Sequence, residues 1–258
     1  MPRKIQTNPS VAATPDRRRY ASFATVAAVA ALAFIVACVA HEALAHGAAC
    51  KAIGGDIILL TSVYFRCSES GRFVAAAGPI ANIALGALLA CLPRANHPAT
   101  ALFVGLAAAT NLLWGTGYLV FSGITGAGDI ASAVQDWGFE LTAAWRMALV
   151  AIGVSMYYLA VRRLGILFAP DAPLGLSYLG IGTVSCLAAL FYAGPTASAL
   201  LEAFQQGFLA TIGLPLIAWR RRGYVHITQP PPHAGWLVAA VIALPLFLST
   251  LGVGLGGH

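Results

Sequence analysis

Two histidines and a glutamate stand within six residues in the string VAHEALAHGAAC: His41, Glu42 and His46. They end an apolar run of membrane-spanning length, where ionisable side chains are costly and point to function by default. This set suits a catalytic zinc site. Neutral imidazole nitrogens hold the ion, and the carboxylate takes a proton from its water. The metal lowers the pKa of that water toward about 7, so hydroxide forms at neutral pH. A third protein ligand is then needed, with the fourth position left open.

The spacing departs from the usual HExxH, in which the histidines lie four apart on one helix face. Here they lie five apart. On a regular α-helix that is about 140° around the axis, against about 40° for a spacing of four. One extra residue in a π-bulge would restore a common face, and such bulges are frequent at functional sites. The six-residue form HExxxH is also the zinc motif of the dipeptidyl-peptidase III family, a soluble group that this chain does not otherwise resemble. The plain alternative is structural: histidines in membrane helices also serve as hydrogen-bonded contacts between helices.

Asp129, in Gly126-Ala127-Gly128-Asp129-Ile130, is the only acid near the end of the third apolar run. It is the expected third ligand, with Asp136 and Glu140 as alternatives and a helix cap as its plain reading. Glu202 is followed by Gln205 and Gln206 at helical spacing. These are expected to satisfy one another across helices, with contact to substrate or proton as the alternative.

The elements that must position these groups follow from composition. Of 258 residues, 59% are hydrophobic, and 15 Lys and Arg with 9 Asp and Glu make only 24 charges. A soluble domain of this length would carry roughly 65. Mean hydropathy is +0.79, more apolar surface than a soluble domain can bury. Disorder and a disulfide-stapled scaffold are excluded on the same composition. The expectation is an all-α polytopic membrane protein in contact with a lipid bilayer, about seven spans, six as the alternative. The runs are 22–45, 73–92, 99–123, 143–161, 174–193, 196–219 and 234–253. The first is too long for a signal peptide and reads as a retained anchor. Residues 1–21 read as a disordered basic tail and 136–258 as additional transmembrane helices.

Residues 54–67, GGDIILLTSVYFRC, are short, β-branched and aromatic, and predict one or two strands between the first two spans. An exposed strand over 57–65 would offer an edge to an extended substrate. Gly78-Pro79 interrupts the second span. Proline lacks an N–H and crowds the preceding turn, so an opened helix there would admit water to the histidines; a simple packing kink is the alternative.

Lys and Arg fall in short groups between the runs, a topology signal and not a nucleic-acid-binding face. With the N-terminus cytoplasmic, eleven lie inside: Arg3, Lys4, Arg17, Arg18, Arg19, Arg94, Arg162, Arg163, Arg220, Arg221 and Arg222. Lys51, Arg66 and Arg72 lie outside. No nucleic-acid partner is expected. Five cysteines without a CxxC argue against a zinc ribbon. Cys50 and Cys67 would pair if their loop faces an oxidising compartment.

The segment AHEALAHGAACKAIGGDI, the β-like stretch and FVAAAGPIANIALGALL together resemble the site-2 protease family of intramembrane zinc metalloproteases. The resemblance covers residues 22 to about 135. It implies a His-Glu-His helix, strands near the active site, a second span with an A-G-P-x-A-N-like motif and a third span supplying an aspartate. Gly78, Pro79 and Asn82 match the second-span motif. Asn111 and Asp129 stand where the third element belongs, at a wider separation than is normal for the family. The implied activity is zinc-dependent hydrolysis of peptide bonds in membrane-anchored proteins. Glu42 would be the base and His41, His46 and Asp129 the zinc ligands. In that family the metal lies nearer the cytosol, whereas the charge count places His41 and His46 nearer the outside. Two other functions stay open: an inactive relative that binds membrane proteins, and a haem- or ion-handling protein using the same side chains.

Overall fold

Backbone polar groups in lipid must be satisfied within the chain, so apolar runs of this length fold as helices. The computed structural model describes residues 17–69, 71–220 and 232–256, with side chains from Phe23 onward. Among them are six helices long and apolar enough to cross a membrane: Phe23–Ala52, Arg72–Cys91, Pro98–Thr125, Ala143–Leu167, Thr196–Arg220 and Ala234–Gly252. The expected seventh span is a shorter apolar helix, Leu174–Leu190. Its 17 residues rise about 26 Å, short of a bilayer core about 30 Å thick. Most of the N-terminal tail lies outside the described residues, and helix already begins at Arg17.

The first span is one continuous rod of three parts: α1 (Arg17–Cys38), a π-helical stretch (Val39–His46) and α2 (Gly47–Ala52). The hairpin β1 (Ile57–Leu60) and β2 (Phe65–Cys67) follows, then α3 (Arg72–Cys91), α4 (Pro98–Thr125) and the short α5 (Asp129–Asp136). The rest of the bundle is α6 (Ala143–Leu167), α7 (Leu174–Leu190), α8 (Thr196–Phe204), α9 (Gly213–Arg220) and α10 (Ala234–Phe247). Further π-helical turns lie at Gln205–Leu209, between α8 and α9, and at Leu248–Gly252, after α10.

Without a hydrophobic force between helices in lipid, small residues that permit close approach decide the packing. A Cβ on Gly115 of α4 would lie 2.9 Å from the Pro79 carbonyl oxygen of α3, and one on Gly86 3.0 Å from that of Ala108. A Cβ on Gly153 of α6 would lie 2.8 Å from the Val120 nitrogen of α4. Two arginines of α6 satisfy helix ends that the chain leaves open. Arg146 Nε donates to the Gly123 carbonyl near the end of α4 at 2.9 Å, and Arg163 to that of Ala90 near the end of α3 at 2.8 Å. Both meet carbonyls without intrahelical donors, at the negative ends of the helix dipoles. At the centre, Phe34 of α1 stacks on Trp114 of α4 and meets Phe247 of α10 edge-on.

Residues 54–67 form two strands, but not with the free edge expected over 57–65. The sheet order is β2-β1-β3, where β3 (Leu255–Gly256) pairs with β1 through Leu59 and Leu60. β1 is therefore central and both of its edges are taken. The hairpin turn is held by Thr61 Oγ1, which accepts from the amides of Val63 and Tyr64. Pro79 sits inside α3, which runs as helix without interruption from Arg72 to Cys91, so the expected opening there does not occur.

A disulfide joins Cys50 at the end of the first rod to Cys67 of β2, 17 residues apart. Closing a loop of this size is worth roughly 3 kcal/mol. We expect Cys50→Ser/Cys67→Ser protein to unfold at lower temperature by that order of stability, and non-reducing peptide mapping of the wild type to show the linkage.

Candidate metal centre

The site grows out of the local irregularity of the first rod. Hydrogen bonds in a π-helix run five residues instead of four. Positions 41 and 46 are five apart, and the stretch Val39–His46 is π-helical throughout. The two imidazoles therefore come to the same side, with ring centroids 4.9 Å apart. His41, Glu42 and His46 are all buried, at 1%, 3% and 3% exposure.

Asp129 reaches them by a reversal of the chain. Gly126 ends α4 at φ 71° and Gly128 opens α5 at φ 82°, left-handed backbone that a side chain resists. A Cβ on Gly128 would lie 2.9 Å from Tyr118 Cε1. The turn is thus folded against α4, which brings Asp129 back beside a residue earlier in that helix. This accounts for its wide separation from Asn111: α4 overshoots the site and the chain returns.

Three donor atoms converge. Asp129 Oδ2 lies 3.1 Å from His41 Nε2 and 3.3 Å from His46 Nε2. The three ligand atoms all lie within 4.8 Å of one another. Donors about 2.1 Å from a tetrahedral ion stand roughly 3.4 Å apart, so the spacing fits a metal. His46 Nδ1 lies 2.6 Å from the Val74 carbonyl oxygen, which only accepts, so Nδ1 carries the proton. In the neutral ring Nε2 is then a bare lone pair facing a carboxylate oxygen. A buried imidazolium or a shared cation removes that conflict, and two imidazoles with a carboxylate are a metal donor set. Burial pushes the Asp129 carboxyl up, but hydrogen bonds and charge from His41 and His46 outweigh it and hold it well below the usual carboxylate range. It stays ionised at neutral pH.

The surroundings fix the two rings. His41 stacks on Trp114 at 4.9 Å and tilts against Tyr118 at 5.8 Å; His46 stacks on Phe65 of β2 at 5.3 Å. Gly78 of α3 faces the gap between them. A Cβ there would lie 2.5 Å from His41 Nε2 and against His46 Nε2 as well. Glu42 is not among the converging atoms, but lies close enough for its charge to act on both imidazoles and on Asp129.

Other expected residues are placed as follows. Pro79 and Asn82 are buried on α3, and both amide atoms of Asn82 lack a hydrogen-bond partner among the described residues. Asn111 is buried and donates to the Ala107 carbonyl at 2.8 Å, and its oxygen has no partner among the described residues. Asp136 is exposed at the end of α5 and Glu140 lies beyond it, so neither joins the cluster. The Glu202 carboxyl makes no side-chain hydrogen bond with Gln205 or Gln206 among the described residues; all three line a cavity instead. The sequence reading missed Trp114, Tyr118, Phe65 and the Val74 carbonyl. A tryptophan and a tyrosine four apart on α4 were a signal for the first two, whereas a backbone carbonyl leaves none.

Comparison with family models, curated proteins and solved structures finds no match to this chain. From its geometry the chain is a multi-span helical protein with a buried His41–His46–Asp129 candidate metal site. Gly78→Ala places a methyl against both imidazoles and should lower bound metal per chain at least tenfold without replacing a ligand, with helical content unchanged by circular dichroism. Metal affinity requires neutral imidazoles, and protons compete with the ion for their nitrogens, so retention should fall as pH drops. Metal analysis after equilibration from pH 8 to pH 5 checks the sign.

Proposed function

We propose that this protein is an intramembrane zinc-dependent peptidase, similar in its core to the site-2 protease family, that hydrolyses peptide bonds of membrane-anchored proteins. The observation that carries the reading is the convergence of His41 Nε2, His46 Nε2 and Asp129 Oδ2 beside a buried glutamate in a multi-span helical bundle. His41, His46 and Asp129 would hold the zinc. When bound, zinc acidifies water and polarises a carbonyl. Glu42, outside the ligand set, takes the proton of the attacking water and delivers it to the departing amine nitrogen. The Cys50–Cys67 disulfide supports a site nearer the non-cytoplasmic side.

The test is zinc content and cleavage measured together, on the full chain in vesicles, with transmembrane peptides and mass-spectrometric detection of products. Glu42→Gln should keep about one zinc per chain and lose 10²–10⁴-fold in rate, roughly the contribution of a general base. His46→Ala should lose both. Cleavage that persists in Glu42→Gln overturns the mechanism, and zinc without cleavage in the wild type overturns the activity.

A further inference from the structure

A cavity of about 790 Å³ lies among α4, α6 and the span containing α8 and α9. Its walls include Ile124, Val154, Leu209 and Trp219, all large, apolar and exposed. In a membrane-spanning bundle, exposed apolar side chains face lipid. Its inner end is different. Trp114 and Tyr118 line it, and these are the rings packed on His41. The cavity therefore joins the lipid-facing surface to the back of the candidate metal centre.

Three polar side chains interrupt the apolar wall: Glu202, Gln205 and Gln206. Gln206 is 5% exposed and its Oε1 has no hydrogen-bond partner among the described residues. Glu202 has no ion-pair partner among them either, and it lies within electrostatic reach of Tyr118 and Asp129. A cation also lines the cavity, Arg220, but it is 18 residues further along the span, roughly 27 Å by helical rise. A carboxyl at membrane depth without a partner is costly and marks a site for something that pairs with it. The rings of Tyr118 and Tyr157 in the cavity wall add aromatic surface that favours a cation. The volume is that of a ligand pocket and not of a whole helix, so it takes the side chains of a short stretch of chain.

We propose that this cleft binds a membrane-embedded substrate segment carrying a basic side chain, which Glu202 pairs with while Gln206 accepts a hydrogen bond. The assignment rests on the peptidase reading for the word substrate, but the binding it describes does not require hydrolysis. An acidic side chain at the same depth is repelled by Glu202 and Asp129 together.

The experiment uses the full chain in phosphatidylcholine vesicles and three dansyl-labelled peptides of about 20 apolar residues. They differ only in a central Lys, Leu or Glu, and binding is read by energy transfer from tryptophan. The Lys peptide should bind about tenfold more tightly than the Leu peptide, with the Glu peptide weakest. Glu202→Gln should reduce the Lys preference to within about twofold, with folding monitored by the wild-type affinity for the Leu peptide. Equal binding of Lys and Leu peptides by wild type, or a preference surviving Glu202→Gln, overturns the proposal. Measurement after metal removal by a chelator separates the two readings. A Lys preference that persists there, in a protein that also fails to cleave when loaded with zinc, upholds the cleft and removes the peptidase. Cleavage with no Lys preference does the reverse.

Discussion

Two imidazole nitrogens, both aimed at one oxygen of Asp129, form the interaction on which the arrangement around the site depends. His46 already gives its other ring proton to the Val74 carbonyl. Its remaining nitrogen is then an acceptor facing an acceptor, at a depth where water does not relieve the conflict. Such a contact persists only if a proton or a metal cation sits between the partners. The neighbouring elements are disposed to keep it. A π-helical stretch turns His46 toward His41, a pair of left-handed glycines returns Asp129 toward α4, and a glycine on α3 leaves the space between the rings clear.

Rigidity around the cluster comes from aromatic packing and backbone contact more than from charge. Trp114 is sandwiched between Phe34 and His41, so the largest fully buried side chain ties the bundle centre to the first imidazole. Phe65 does the same for the second from the sheet, and the disulfide fastens that strand to the rod carrying both histidines. Small residues between α3, α4 and α6 bring backbones together without a hydrophobic drive, which lipid does not provide. The arginines of α6 then satisfy the open ends of α3 and α4.

The sheet and the cleft occupy different faces of this core. β1 lies between β2 and β3, so the central strand spends both edges on its own chain. The lipid-facing opening is on the side of α4, α6, α8 and α9, and its inner wall is made of the rings that hold His41. A second π-helical turn, Gln205–Leu209, falls on that wall. Irregular helix thus occurs both where the imidazoles are gathered and where the cleft carries its polar residues.

Composition alone determined the membrane class, because 24 charges in 258 residues leave no way to cover a water-facing surface. Local pattern determined the two short strands and the importance of His41, Glu42 and His46, since ionisable groups in an apolar run are too costly to be incidental. It also raised the helix irregularity, because two ligands five apart do not share a face on a regular helix. The rest depended on distance through space. Whether Asp129, Asp136 or Glu140 completed the cluster was settled by a turn that doubles back on α4, whose direction is set by packing against Tyr118. Glu202 and its glutamines read as mutually satisfied from their spacing, whereas the bundle leaves them around a cavity formed by three separate spans. The free edge of β1 vanished because residues near position 255 return to pair with it. Spacing along a chain constrains what neighbours on one helix can do, but which distant elements meet is decided by the packing of the whole bundle.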